Sequence, residues 1–274
     1  KAHPDVEPAS KLLDRILAER RAKWEEAELA EMEAKGKAPK NDKWKAKYKD
    51  PGAPDNGALP ELPDGWVWAL LDSLIIQGPQ NGLYLPKTEY GSGHPILRID
   101  DYQQDWIRPV AELQRVQVKP EDLANYALRS GNLVINRVNS PSHLGKVAIW
   151  QSNTDMPVFE SNMMRAELSS YVVPLYVASY LRSSQGRARL TKHAKWAVNQ
   201  ASINQKDVCG TPVPLPPLAE QERIVIEVDR HLSLTHETET QVDSNLKRAE
   251  CLRQSILSRA FAGDLSSSLM QAAS

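Results

Sequence analysis

The sequence predicts an α+β fold in which one mixed α/β domain is flanked by two long helices. Three observations lead to this prediction. Apolar residues recur with a helical period over residues 10–34, and short apolar runs alternate with turn residues over 66–215. Residues 218–262 then contain neither proline nor glycine. With 274 residues, the chain is long enough for a full core and for one or two domains.

The first predicted element is a long amphipathic helix over residues 5–35. Its apolar side chains follow three- and four-residue steps with Arg, Lys and Glu between them: Leu12, Leu13, Ile16, Leu17, Trp24 and Ala27. A helix of about 25 residues is about 37 Å long, which is more than a small domain needs. This length favours a helix outside the domain core, and a helix packed on its own domain is the alternative.

Residues 36–64 have the composition of a basic linker rich in proline and glycine. Seven lysines fall between residues 35 and 49 against the single acid Asp42, and six prolines and glycines follow between Pro51 and Pro63. Low apolar content of this kind is typical of a mobile linker. Such a segment is usually solvated, with contact to phosphates as the alternative.

The segment 65–215 is predicted to form the mixed α/β domain. Its apolar runs indicate strands, and glycine-rich turn signals separate them at 78–82 and 91–93. The predicted strands are 95–99, 132–136, 146–150 and 163–168. Residues 175–190 have a helical pattern that Gly186 interrupts, so an unbroken helix is not expected there.

A proline-rich segment leads into the last predicted helix, 216–265. Pro212, Pro214, Pro216 and Pro217 fix φ and lack N–H donors, so they predict an extended arm that ends where the helix begins at Leu218. Acidic residues in the first turn and Arg259 near the end suit the helix dipole. Gly263 is the expected C-cap, and residues 266–274 are predicted to be a tail.

The long terminal helix carries an apolar seam that is compatible with heptads. Glu239 and Arg253 interrupt the seam, so a self-sufficient coiled coil is not supported. A helix of about 45 residues extends for about 68 Å, and a stripe of that length needs a partner. We expect the first helix to be that partner, in an antiparallel pair formed within the chain or with a second copy.

Composition and motifs narrow the classes of function. A net charge of −1 excludes a uniformly basic nucleic-acid coat. The isolated Cys209 and Cys251 indicate reduced thiols in the cytoplasm. No apolar run has the length of a membrane span, and no signal peptide is recognised. Since Lys1 is not an initiator Met, we expect a fragment or a trimmed product.

No catalytic or cofactor motif is recognised in the sequence. Phosphate-binding and dinucleotide-binding glycine motifs are missing, and His231 and His236 are five residues apart, which does not suit a zinc pair on one helix face. Glu33-Ala34-Lys35 has a nuclease-like Glu-x-Lys form but falls in a helical charge run. The sequence therefore predicts a non-enzymatic protein without metal or cofactor.

DNA binding is favoured by the charge distribution. Six basic residues and no acid lie between Leu168 and Lys206, a pattern suited to phosphate contacts. Loops 77–87, 137–146 and 192–202 add side chains with paired donors and acceptors. The DNA-binding candidates are Gln80, Asn81, Lys87, Arg137, Asn139, Ser140, His143, Lys146, Arg187, Arg189, Lys192, Lys195, Asn199 and Gln200. Each could instead be structural; Asn199 and Gln200, for example, could brace their loop.

The segment 214–221, Pro-Leu-Pro-Pro-Leu-Ala-Glu-Gln, followed by Arg223-Ile224-Val225, resembles the specificity subunit of type I restriction-modification systems. Segment 257–265 at the far end of the helix is part of the same resemblance. Residues 131–137 and 145–148 are similar to the middle of the family's target recognition domain, although Asn132 stands where Asp is more usual.

Two further segments resemble the same family. Asn199-Gln200 with Ile203 is similar to the closing segment of the recognition domain, and residues 12–25 are similar to the end of the central conserved helix. The resemblance implies a central conserved helix, a target recognition domain and a C-terminal conserved helix over 5–35, 65–215 and 216–265. The chain would then be the C-terminal half of a subunit or a half-length form.

The resemblance implies a function as well. A family member reads a bipartite double-stranded DNA sequence with two recognition domains, and its paired helices set the spacing and dock methyltransferase and restriction subunits. We therefore expect a non-catalytic DNA specificity subunit that works with these partners and with a second specificity half or as a homodimer. A coiled-coil adaptor whose central domain binds protein is the alternative, and a stand-alone nuclease is a third class.

Overall fold

A computed structural model describes residues 7–103, 106–198 and 200–262. Its helices are α1 Ala9–Ala34, α2 Leu71–Leu74, α3 Pro120–Tyr126, α4 Pro174–Arg182, α5 Ser184–Leu190, α6 Gln205–Cys209 and α7 Leu218–Phe261. Its strands are β1 Val67–Leu70, β2 Ile75–Asn81, β3 Tyr90–Leu97, β4 Arg115–Val116, β5 Leu133–Asn136, β6 Val138–Asn139, β7 Val147–Ile149, β8 Val158–Phe159, β9 Met163–Leu168, β10 Lys195–Ala197, β11 Gln200–Ser202 and β12 Pro212–Leu215. The mixed α+β class and the long terminal helix are confirmed.

The chain divides into two units, of which the first ends at Val225 and the second begins at Ile226. The first unit is built on a four-stranded sheet in the order β2-β9-β5-β7, whose neighbouring strands are all antiparallel. Smaller sheets have the orders β4-β3-β8, β10-β11-β6 and β1-β12. All four strands predicted from apolar runs are present as β3, β5, β7 and β9.

Both faces of the four-stranded sheet are buried. On β5, Leu133 and Ile135 belong to the largest core cluster, which includes α1, α4 and α5, whereas Val134 packs on the opposite face with Leu97 and Phe159. Successive side chains of a strand point to opposite faces, so a strand that is covered on both sides needs apolar residues throughout. This explains why continuous apolar runs predicted these strands well.

The predicted helix 175–190 is interrupted at Ser183, not at Gly186. The Ser183 hydroxyl accepts a hydrogen bond from the Gly186 N–H at 3.1 Å and so caps α5. Gly186 lies inside α5, where an added Cβ would come within 2.0 Å of the carbonyl oxygen of Tyr180. The glycine therefore permits close packing of α5 against the end of α4.

The expectation that the first helix lies outside the domain core is wrong for its N-terminal half. Ala9, Leu12 and Ile16 are fully buried in the largest core cluster. The Arg20 guanidinium donates to the carbonyls of Asp72 and Ile75, both at 3.1 Å. The apolar stripe of α1 is thus satisfied by the α/β domain itself, because it packs on α2 and β2.

The basic linker is folded against α1 over part of its length, contrary to the prediction of a mobile segment. A short 3-10 helix, Asp42–Lys47, places the Trp44 ring 5.9 Å from the ring of Trp24. The Lys45 ammonium lies 3.3 Å from a carboxylate oxygen of Glu25. The aromatic residues supply the apolar contact that the lysine-rich composition obscured.

The predicted proline arm is extended and is also a strand of the domain. In β12, Pro214 faces Trp68 and Pro212 faces Leu70 of the antiparallel β1. A two-stranded sheet tolerates these prolines because each strand has an unpaired edge. After Pro217 the chain enters α7, as the sequence predicts.

The described part of the second unit is the remainder of α7. Its side chains are exposed from residue 229 to residue 262, including Leu232, Val242, Leu246 and Ile256. The predicted C-cap Gly263, the end of segment 257–265 and the tail 266–274 lie outside the described residues. Among the helices that are described, none combines the length and apolarity needed to cross a membrane.

The two cysteines are expected to differ in reactivity. Burial, with a smaller contribution from Asp72, raises the pKa of the Cys209 thiol to about 12, whereas Cys251 is exposed on α7. The thiolate is the reactive form, so iodoacetamide at pH 8 should modify Cys251 at least about tenfold faster than Cys209. Peptide mass spectrometry over time measures both rates, and urea-unfolded protein, in which the rates should converge, is the control. Equal rates in the folded protein would contradict the burial of Cys209.

Candidate nucleic-acid interface

Two of the three predicted loops meet in one small sheet. Strand β6 carries Val138 and Asn139 of loop 137–146, and they pair with Ser202 and Ala201 of β11. On its other side β11 pairs with β10, which completes a hairpin within loop 192–202. The candidate Asn199 lies outside the described residues.

The third loop joins the other two through the turn between β8 and β9. The Gly82 N–H donates to the Met163 carbonyl at 3.0 Å. The Arg137 N–H donates to the Asn162 carbonyl at 2.9 Å, and the Arg137 Nη1 donates to the Ser161 carbonyl at 3.1 Å. We call the surface formed by residues 77–87, 137–146, 159–163, 192–198 and 200–202 the loop edge.

Cationic side chains on the loop edge are solvent-exposed. Lys87, Lys192 and Lys195 are exposed, as is the imidazole of His143, while Lys146 is half-buried. The acidic residue of the loop edge, Glu160, is 7% exposed; it accepts from the Ile99 N–H at 2.7 Å and pairs with Arg98 at 3.3 Å. The negative charge of Glu160 is therefore compensated by Arg98. The exposed charge of the loop edge comes from its lysines.

The arginines near the loop edge are already engaged by the protein. Arg187 donates from Nε to the Leu144 carbonyl at 3.1 Å and from Nη2 to the Ser142 carbonyl at 2.5 Å. Arg189 donates to the Tyr180 hydroxyl at 2.8 Å and lies 4.9 Å from the centroid of the Trp68 ring. These contacts hold loop 137–146 and α5 in place, and DNA contact by either arginine stays a prediction.

The polar candidates fall into two groups. Gln80 is engaged, since its Oε1 accepts from Arg165 at 2.5 Å and its Nε2 donates to the Asn125 carbonyl at 3.3 Å. Asn139 accepts from the Ser140 N–H at 2.7 Å, and the Ser140 hydroxyl lies 3.2 Å from that of Ser142. By contrast, Asn81 and Gln200 are exposed. The exposed pair is better placed to reach a ligand.

A buried hydrogen-bonded pair, Tyr102 and Asn136, lies on the inner side of the fold, and Asn136 directly precedes loop 137–146. The Tyr102 hydroxyl donates to Oδ1 of the fully buried Asn136 at 2.5 Å. Burial raises the pKa of Tyr102 far above its ordinary value, so the phenol stays a neutral donor. Among the described residues, Asn136 Nδ2 and Arg137 Nε are buried without a hydrogen-bond partner. Asn136 therefore orients the start of the loop from inside the fold.

Exposed aromatic residues of the loop edge were not among the sequence candidates. Tyr84 is 80% exposed and Trp196 is 62% exposed, and Val198 beside it is 98% exposed. Sequence reasoning gave weight to charge and to amide groups when the candidates were chosen. The signal that could have found Trp196 is its position directly after a basic run that contains Lys192, His193 and Lys195.

No group of three His, Cys, Asp or Glu side chains suited to hold a metal ion occurs in the described part of the chain. The arrangement at the loop edge is instead that of a binding surface. It has exposed ammonium groups, exposed amides and exposed aromatic rings on loops that a buried sheet supports. Such a surface suits a polyanion that also presents flat apolar groups.

Comparison with known proteins finds specificity subunits of type I restriction enzymes among the relatives of this chain. The chain is 34% identical over 167 residues to a putative type I restriction enzyme MjaX specificity subunit of Methanocaldococcus jannaschii, covering 60% of this chain and 39% of that protein. It is 30% identical over 203 residues to the type I restriction enzyme StySPI specificity subunit of Salmonella potsdam, covering 73% and 43%.

The chain is a relative of the type I restriction enzyme specificity subunits. It spans about two fifths of the length of the curated relatives it matches. A solved structure described as the basis of complex assembly and conformational transition of the type I R-M system shares the fold. It has a TM-score of 0.54 and 21% identity, and the match covers 93% of this chain and 57% of that one. No family model matches the chain.

The relationship confirms the resemblance predicted from segment 214–225. In the structure, residues 214–221 of this segment lie at the junction of β12 and α7, and none of them belongs to the loop edge. Glu220 accepts from the Trp66 indole N–H at 2.9 Å, and Gln221 is fully buried. The residues that identified specificity subunits from sequence thus have an architectural role here.

Proposed function

We propose that this chain is a DNA specificity subunit, or half of one, which binds one half of a bipartite double-stranded DNA target through the loop edge. The observation that carries the proposal is the meeting of three separate loops on one surface with exposed lysines and one compensated acid. Kinship with specificity subunits supports the same assignment. In this proposal the chain is a non-catalytic recognition component.

The exposure of each side chain suggests its role. Lys87, Lys192 and Lys195 are proposed to contact phosphates, because clustered ammonium groups displace condensed counterions. Asn81, His143 and Gln200 are exposed groups that are suited to base edges, since amides and imidazoles donate and accept hydrogen bonds. Arg187 and Arg189 are proposed to brace the loops, because carbonyl, hydroxyl and ring contacts already occupy them.

Assembly with further subunits is part of the proposal. A chain that matches about two fifths of its relatives would read one half-site, so a second specificity half or a homodimer would supply the other. The exposed apolar residues of α7 favour pairing with another long helix in an antiparallel coiled coil. Methyltransferase subunits, and restriction subunits through the complex, would dock on these helices. Two unpaired cysteines are consistent with action in the cytoplasm.

Gel-shift titration with a methyltransferase subunit of the same system tests the function. The probes are a panel of duplexes with two variable half-sites and a variable spacer, at fixed salt. We expect a complex whose affinity varies at least about a thousandfold with sequence. Uniform affinity for all duplexes would contradict the specificity assignment, and failure of the methyltransferase to co-migrate would contradict the proposed assembly. Metal-dependent cleavage by the chain alone would favour a nuclease.

Lys192→Ala is expected to weaken binding to every duplex by a similar factor. Loss of one phosphate contact should also reduce the slope of log affinity against log salt by about one. Lys11→Ala, which changes an exposed lysine on α1, is the matched control and should leave the slope unchanged. If Lys192→Ala leaves both affinity and slope unchanged, a protein-binding adaptor domain becomes the better interpretation.

A further inference from the structure

The hairpin of β10 and β11 presents apolar side chains to solvent at the loop edge. All three residues of β10 are exposed, Trp196 is 62% exposed, and Val198 after it is 98% exposed. The Trp196 side chain makes no hydrogen bond or ring contact with the other described residues. An indole ring that is mostly exposed to water contributes little to the fold, so its place on the loop edge points to a contact with a ligand.

The hairpin is firmly anchored at its base. Ala201 and Ile203 are 1% exposed and belong to the largest core cluster. Strand β6 pairs with β11, so β10 is the outer strand. At Trp196 the small sheet has three strands, because Ala201 pairs with Trp196 on one side and with Asn139 on the other. The outer strand β10 is therefore the part of the sheet that can approach the base edges in the major groove of B-form DNA.

The charges around Trp196 favour a nucleic acid over a protein as the occupant. Lys192 and Lys195 are exposed beside it, and no Asp or Glu occurs between residues 168 and 206. Ammonium groups on the flanks would contact phosphates, while the ring would face the base edges. The apolar feature that a base pair presents in the major groove is the 5-methyl group of thymine.

We propose that the β10–β11 hairpin enters the major groove of the target half-site and that Trp196 selects thymine by contact with its 5-methyl group. This inference rests on the proposed DNA-recognition function and adds a specificity-determining residue to it. Trp196 takes no part in the core, so its substitution leaves the fold intact; thermal unfolding followed by circular dichroism verifies this.

The first test uses the full chain with the methyltransferase subunit and a pool of duplexes with a randomised core, whose bound fraction is sequenced. A wild-type complex that enriches no motif contradicts the proposed function itself. If a motif is enriched, W196A should lose the preference for thymine at one or two positions while its salt slope stays unchanged, and W196F should keep most of the preference. K195A should lower the salt slope by about one and keep the motif.

The second test replaces the selected thymine by uracil, which removes only the methyl group. Wild-type affinity should fall about three- to fivefold, the effect of one methyl group buried against an apolar ring. W196A should bind both duplexes equally. The proposal is overturned if W196A retains the wild-type motif, or if W196A still distinguishes thymine from uracil. A loss of methyltransferase binding with an unchanged motif also overturns it and assigns the hairpin to protein docking.

Discussion

Gln221→Ala is expected to lower the free energy of unfolding of the first unit by about 2–4 kcal/mol, among the largest effects of any single polar substitution in the chain. The Gln221 side chain is fully buried. Its Oε1 accepts from the Val173 N–H at 2.9 Å, and its Nε2 donates to the Pro216 carbonyl at 3.1 Å. Truncation leaves a buried donor and a buried acceptor without partners and creates a cavity.

Urea unfolding followed by tryptophan fluorescence measures this effect. All seven tryptophans precede Val225, so the signal reports on the first unit. Gln241→Ala is the matched control, because Gln241 is an exposed residue of the same helix whose amide donates to the Asn245 side chain at 3.1 Å. The control should change stability by less than about 0.5 kcal/mol. Equal effects of the two substitutions would refute a bridging role for Gln221.

The contacts of Gln221 illustrate which parts of the fold could be predicted from the sequence and which could not. Prolines at 212, 214, 216 and 217 predicted an extended segment and the start of α7, because they restrict the backbone directly. Two further features depend on residues that are far apart in sequence. The extended segment is a strand because it pairs with β1, and Gln221 joins α7 to the start of α4. Val173 lies 48 residues away from Gln221, and no local pattern encodes that pairing.

The candidate site also combines features that the sequence predicted with features that only the tertiary structure shows. Loops 77–87, 137–146 and 192–202 were predicted separately from turn residues and charge, and the structure brings them together through β6, β11 and the turn at 159–163. Charge alone did not predict that the arginines would be engaged within the protein while the lysines stay exposed. Arg187 is engaged because its Nε lies 3.1 Å from the carbonyl of Leu144, which is a tertiary contact. The Lys192 side chain has no such contact with the residues that the structure describes, and it stays exposed.

The position of α1 was missed for a related reason. A helical apolar stripe indicates that one face is buried but does not say against which partner. The length of the helix favoured a partner outside the domain, yet only its first turns are deeply buried, at Ala9, Leu12 and Ile16. The remaining turns are held by side-chain hydrogen bonds, among which those of Arg20 are the most numerous.

Arg20→Ala is accordingly expected to lower the free energy of unfolding of the first unit by about 2–4 kcal/mol. Besides the carbonyls of Asp72 and Ile75, the guanidinium donates to the Asp72 carboxylate at 2.9 Å and to the Tyr48 hydroxyl at 3.0 Å. It therefore ties α1 both to the end of α2 and to the basic segment that was predicted as a linker. Its loss leaves the two carbonyls and a half-buried carboxylate without their donor.

Arg21→Ala is the matched control for this prediction. Arg21 is the next residue of α1 and is exposed, and its guanidinium pairs with Glu25 one helical turn away at 3.1 Å. Exposed pairs of this spacing contribute about 0.3–0.5 kcal/mol, so urea unfolding should separate the neighbouring variants clearly. If Arg20→Ala is as mild as Arg21→Ala, α1 is held by its buried apolar turns alone. A large effect means that the polar middle of α1 is an integral part of the first unit, which would fix the position of the helix relative to the loop edge.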